Sequence, residues 1–290
     1  MITGSIVALV TPMHADGSVD WASLERVLDL HIASGTGAIG AVGTTGESAT
    51  LSTPEHCEVI KYCVDYIAGR LPVVAGTGSN STREAIELTA AAADAGADAC
   101  LLVTPYYNKP TQRGLYQHFQ AVAEAVAVPN ILYNVPGRTA VDMSNDTAIA
   151  LAEIDNIVGI KDATGDTERG RDLIARAPQG FAVYSGDDPT AMELILAGGQ
   201  GNISVTANIA PAVVAQLCQL AAAGDRAGAE ALDQQLADLN EALFLEANPI
   251  PVKWAMQQRG LIESGIRLPL TELDEAFHGR VLAAMEAAGI

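Results

Sequence analysis

Residues 38–76 read AIGAVGTTGESATLSTPEHCEVIKYCVDYIAGRLPVVAG. An apolar run (38–42) enters a glycine turn, an amphipathic stretch follows (52–69), and a second apolar run closes the segment (72–76). Ser52 and Glu55 stand at the spacing of a capping box, in which two side chains satisfy free N–H groups at a helix start. The flanking runs are apolar at nearly every position. That pattern belongs to parallel strands covered on both faces. The segment is therefore a strand–helix–strand unit.

The unit recurs. Matching apolar runs lie at 5–10, 98–103, 130–134, 157–161, 181–185 and 202–205, which makes eight in all. Amphipathic stretches separate most of them. In residues 20–35, Leu24, Val27, Leu28 and Ile32 share a face and a glycine ends it. Ser81 and Glu84 repeat the capping-box spacing. Eight such units predict a (β/α)8 TIM barrel of the α/β class. An open doubly wound sheet usually carries GxGxxG after its first strand. Here that strand runs into TPMHADGSVD. The expected division is a catalytic barrel over 1–224 and a C-terminal helical extension over 225–290. Three helical stretches fill the extension, at 227–244, 249–260 and 270–289.

Composition narrows the function. Lys+Arg is 16 against Asp+Glu 35, a net charge of −19, with 49% hydrophobic residues. Such an acidic chain is a poor partner for nucleic acid or an anionic membrane. Cys57, Cys63, Cys100 and Cys218 form no CxxC pair and read as free thiols. The N-terminus lacks a basic n-region and no run is long enough to span a membrane, so a cytoplasmic protein is expected. The five histidines show no HxH or HxxxH spacing, and neither a metal nor an organic cofactor is expected. Asp187-Asp188 before Pro189 reads as a helix cap.

In a barrel of this kind, functional groups stand at the C-terminal strand ends. The second strand leads to Thr44, Thr45, Glu47 and Ser48, the fourth to Tyr106, Tyr107 and Lys109, and the fifth to Tyr133 and Arg138. Lys161 ends the sixth, directly after Ile157-Val158-Gly159-Ile160, and is one of only four lysines. An apolar wall disfavours an ammonium, so a lysine there is a candidate nucleophile toward a carbonyl carbon. The alternative is a structural pair with Asp162. Tyr133 ends the neighbouring strand, where its hydroxyl could give and take protons. The GTTGES turn lacks the GK[ST] ending of a P-loop. Its N–H groups and hydroxyls suit a carboxylate instead, and the Arg138 fork suits a second one.

GTTGES, TPYYNKPT, YNVPGRT, GIKDATGD, YSGDD, GNISVTAN and NPIPVKWA occur in that order. Together they resemble the dihydrodipicolinate synthase (4-hydroxy-tetrahydrodipicolinate synthase) family of pyruvate-dependent Schiff-base lyases. The resemblance covers almost the whole chain; GTTGES alone would indicate only the wider superfamily. It implies condensation of pyruvate with L-aspartate 4-semialdehyde on the diaminopimelate route to lysine. It implies Lys161 as the Schiff-base residue, with Tyr133, Thr44 and Tyr107 as a proton relay, Tyr107 coming from a neighbouring subunit. Thr45, Gly186 and Ile203 would bind pyruvate, and Arg138 the carboxylate of the semialdehyde. Ser48, Ala49, His56, Asn80, Glu84 and Tyr106 match a feedback site for L-lysine. Thr53 stands where sensitive members often carry histidine, which bears on affinity. A homotetramer built as a dimer of dimers is implied.

Two other readings share parts of this pattern. Another pyruvate lyase, such as N-acetylneuraminate lyase, would use the same lysine and tyrosine, but its polyol substrate has no carboxylate for Arg138. A silent barrel that binds a small acid would not need the full set of Lys161, Tyr133, Thr44 and Tyr107.

Overall fold

The computed structural model describes residues 1–290 and contains all eight expected strands. They are β1 (Gly4–Ala8), β2 (Ala38–Ala41), β3 (Val73–Gly76), β4 (Ala99–Val103), β5 (Asn130–Asn134), β6 (Ile157–Asp162), β7 (Ala182–Ser185) and β8 (Gly201–Ser204). Each pairs in parallel with the next. Ile6 on β1 stands opposite Ile203 on β8, so the sheet closes into a barrel without an edge.

Closure sorts the apolar side chains into two layers. Twelve buried residues, among them Ile6, Val74, Leu101, Ile131 and Tyr184, fill the barrel interior. A cluster of 64 lies between the strands and the helices and continues under the C-terminal helices. Most apolar burial is therefore outside the barrel, and this explains why the strands are apolar on both faces. It also leaves a few interior positions near the strand ends open to chemistry. On β6, Ile160 joins the outer layer, whereas Lys161 points inward.

Local caps follow the sequence with two differences. At Ser52 the capping box is complete: Ser52 N–H donates to Glu55 Oε2 at 3.0 Å. At Ser81 only half forms. Ser81 Oγ accepts the Glu84 N–H, but the Glu84 carboxylate is taken by the Ser79 hydroxyl. Asp187 takes the N-cap position of the short 3-10 helix Asp188–Thr190, though without a side-chain cap bond, and Asp188 has another role. It is buried, and its carboxylate accepts from Asn202 Nδ2 (2.7 Å) and from the N–H groups of Val205 and Thr206 (3.0 and 3.1 Å), joining the ends of β7 and β8.

Beyond β8 come helices Pro211–Ala222, Arg226–Ala242, Ile250–Gln258 and Glu275–Ala287. The last is shorter than its expected span, because Asp274 starts it by accepting the Ala276 N–H at 2.8 Å. The irregular stretch before it runs back over the barrel. Gly265 passes so close to the loop after β1 that a Cβ there would stand 2.2 Å from the His14 carbonyl oxygen. Only glycine permits that approach.

Candidate active site

Lys161 and Tyr133 are direct partners in the β5–β6 ladder. The lysine Nζ lies 4.2 Å from the tyrosine ring centroid, and both residues are buried. They line a cavity of about 120 Å³ together with Thr44, Thr45, Gly186 and Ile203. Gly186 gives Lys161 its room, since any Cβ there would collide with the lysine stem. Arg138, itself exposed, reaches the same cavity from the β5 loop. Within the chain the fold thus unites Lys161, Tyr133, Thr44, Thr45, Arg138, Gly186 and Ile203.

Tyr107 is not among them. It is 89% exposed and held at φ 72, a left-handed conformation rare for an aromatic residue. Its side chain stands outside its own chain's cavity.

The Thr44–Thr45 turn is bracketed by strained backbone, with Val42 at φ 55 and Glu47 at φ 58. Left-handed geometry is costly for a β-branched residue, so surrounding contacts must enforce it. Thr11 Oγ1 donates to the Gly46 carbonyl at 2.7 Å. The Glu47 carboxylate is buried against the Lys253 ammonium and also accepts the Arg267 N–H at 3.1 Å. Burial lowers the Lys253 pKa, and Glu47 opposes that shift. Arg267 is fixed in turn by Glu55, whose pKa the guanidinium holds down at about 2.

Asn248 completes the frame. Its Nδ2 donates to Thr45 Oγ1 at 3.0 Å, and its main-chain oxygen accepts from Arg138 Nη2 at 3.1 Å. The sequence reading missed Asn248 and the Glu47–Lys253 pair as site components. One signal was present: Lys253, one of four lysines, sits in the apolar run Ile250–Met256.

A larger cavity of about 360 Å³ adjoins the first and shares Thr44, Arg138 and Asn248 with it. Ser48, Ala49, His56, Glu84 and Tyr106 line its far side. Asn80 stands behind them and donates to the Tyr106 carbonyl at 3.1 Å. His56 Nε2–H donates to the Gly76 carbonyl at 2.7 Å, and burial lowers its pKa. No lysine lines the larger cavity; the buried Lys161 amine belongs to the smaller one.

Other nucleophiles and ligand groups are accounted for. Burial pushes the thiols of Cys63 and Cys218 up to about 12 and that of Cys100 to about 11, which suppresses thiolate. His14, Asp20 and Glu263 bring ligand-type atoms within 4.8 Å of one another. His14 Nδ1 is hydrogen-bonded there to Glu263 Oε2 at 3.1 Å, and none of the three lines the Lys161 cavity. No helix is long and apolar enough to cross a membrane.

Residues 1–288 match the model of the dihydrodipicolinate synthetase family. The chain belongs to this family. It is accordingly an enzyme, a lyase. A family member from Thioalkalivibrio sulfidiphilus, named 4-hydroxy-tetrahydrodipicolinate synthase, is 67% identical over 100% of this chain and 99% of its own length. Among solved structures, the chloride-inhibited dihydrodipicolinate synthase of Acinetobacter baumannii, complexed with pyruvate, is 61% identical with a TM-score of 0.99, covering 100% of both chains. The lysine-bound enzyme of Cyanidioschyzon merolae is 40% identical with a TM-score of 0.96, covering 99% and 98%.

Proposed function

We propose that the enzyme condenses pyruvate with L-aspartate 4-semialdehyde in the cytoplasm, through a Schiff base on Lys161, as the committed step toward diaminopimelate and lysine. The observation that carries this reading is the ladder pairing of Lys161 with Tyr133 at one cavity wall. A relative complexed with pyruvate supports the choice of first substrate.

The Lys161 amine adds to C2 of pyruvate to give a carbinolamine. Tyr133 hands a proton to the departing hydroxyl, and water leaves. The iminium acidifies the methyl group, and loss of its proton gives an enamine. That carbon attacks the aldehyde, whose oxygen takes up a proton. The substrate's own amine then adds to C2 and expels Lys161, closing the ring and freeing the enzyme. Every step uses groups of the protein and the two substrates. Thr45 holds the pyruvate carboxylate and Arg138 that of the semialdehyde.

Tyr107 enters this scheme from a second copy of the chain. Its exposure and its absence from the lining of its own cavity support that assignment, and a homotetramer of two such dimers is the assembly we propose. L-Lysine occupies the larger cavity, its ammonium on Glu84, and inhibits partially. A lysine-bound relative supports this. The test is a condensation assay on the wild type and Lys161→Ala, with L-lysine titrated into the former. Full activity in the variant overturns the mechanism, and unchanged rates in millimolar lysine overturn the regulation.

A further inference from the structure

We infer that Asn248 is a positioning residue for pyruvate: it fixes the direction in which the Thr45 hydroxyl donates. The inference rests on the reading of Thr45 as the group that holds the pyruvate carboxylate.

A threonine hydroxyl has one hydrogen and two lone pairs. Asn248 Nδ2 lies 3.0 Å from Thr45 Oγ1 and donates to it, which occupies one lone pair. The hydroxyl hydrogen is thereby left for another acceptor. Thr45 lines the Lys161 cavity, where a carboxylate supplies that acceptor. Without Asn248 the hydroxyl rotor is free, and part of its population turns away from the anion.

The other end of the amide makes no competing bond within the chain. Its oxygen Oδ1 is buried and accepts no hydrogen bond from another residue. The amide spends its donor on Thr45.

The residue also separates the two substrate sites by chemistry. Its side chain serves Thr45, whereas Arg138 is held by its main-chain oxygen. A side-chain substitution therefore disturbs the pyruvate carboxylate and spares the anchor of the semialdehyde clamp. A general structural role would not discriminate in this way.

Steady-state kinetics on the full-length enzyme tests the inference. Asn248→Ala should raise the KM for pyruvate about fivefold, the worth of an ordinary hydrogen bond, with the KM for semialdehyde held within about twofold. Asn248→Asp keeps the shape but accepts the Thr45 hydrogen and repels the substrate anion. Its pyruvate KM should exceed that of the alanine variant, and being isosteric it carries the test alone if the alanine variant does not fold. Equal shifts in both KM values, or a pyruvate KM in Asn248→Asp no higher than wild type, overturn the inference. Thr45→Val separates the premise. If it leaves the pyruvate KM unchanged, the reading of Thr45 fails. If it raises that KM while Asn248→Ala does not, the inference alone fails. Adding Asn248→Ala to Thr45→Val should change the pyruvate KM by less than about twofold, since the two residues act as one unit.

Discussion

Gly186 and Lys161 are matched in space: a Cβ built on Gly186 would stand 2.6 Å from the lysine Cε and 3.0 Å from its Cγ. The lysine stem fills the volume that a side chain on β7's following loop would need. Gly186→Ala should therefore move Lys161 rather than merely crowd it. With Lys161 as the proposed nucleophile, its displacement spoils the attack geometry, and kcat/KM should fall by about 100-fold. Thermal melts should show only a moderate loss of stability, as expected for overpacking at one site.

Tyr133→Phe keeps the ring beside the Lys161 Nζ and removes only the hydroxyl. If the phenol moves protons, kcat should drop by about 100-fold or more while the KM for pyruvate changes little. Pre-steady-state measurement should place the loss before or at dehydration of the carbinolamine.

The buried pair of Glu47 and Lys253 ties the C-terminal helices to the loop that carries Thr44 and Thr45. Lys253→Met leaves a buried carboxylate unpaired, which costs about 3–5 kcal/mol. Denaturant titration should show that loss. Combining it with Glu47→Gln should recover part of the stability, because the orphan charge is gone.

His31 and His118 are buried with Nε2 unpartnered, and burial pushes both pKa values down to about 4. Between pH 6.5 and about 4 the folded chain binds fewer protons than the unfolded one. Stability should therefore rise with pH across that window and fall on acidification, by roughly 3 kcal/mol per histidine over its whole extent. Asparagine or glutamine at either position should flatten the pH dependence of the urea midpoint between pH 4 and 6.5. A slope equal to wild type in both variants would contradict the assignment.

The barrel was legible because its signal is local. Eight apolar runs with helices between them mark β1–β8, and strand ends such as Tyr133 and Lys161 can be read in place. Long-range partners were not. Asn248 lies 203 positions from Thr45, and Lys253 lies 206 from Glu47. No periodicity links such residues; only closure of the fold and the return of the C-terminal segment bring them together. The half-formed box at Ser81 failed for a nearer reason, because Ser79 competes for the Glu84 carboxylate. Tyr107 falls between these cases: its motif was visible, but the chain by itself leaves the side chain exposed and outside the cavity lining.

The proposed mechanism requires a covalent bond between Lys161 and pyruvate. Incubation of the wild-type enzyme with pyruvate and sodium borohydride, followed by peptide mapping by mass spectrometry, reads it directly. One reduced pyruvate adduct per chain is expected, on Lys161, with loss of condensation activity. An unmodified Lys161 in inactivated enzyme, or an adduct confined to another lysine, would contradict it.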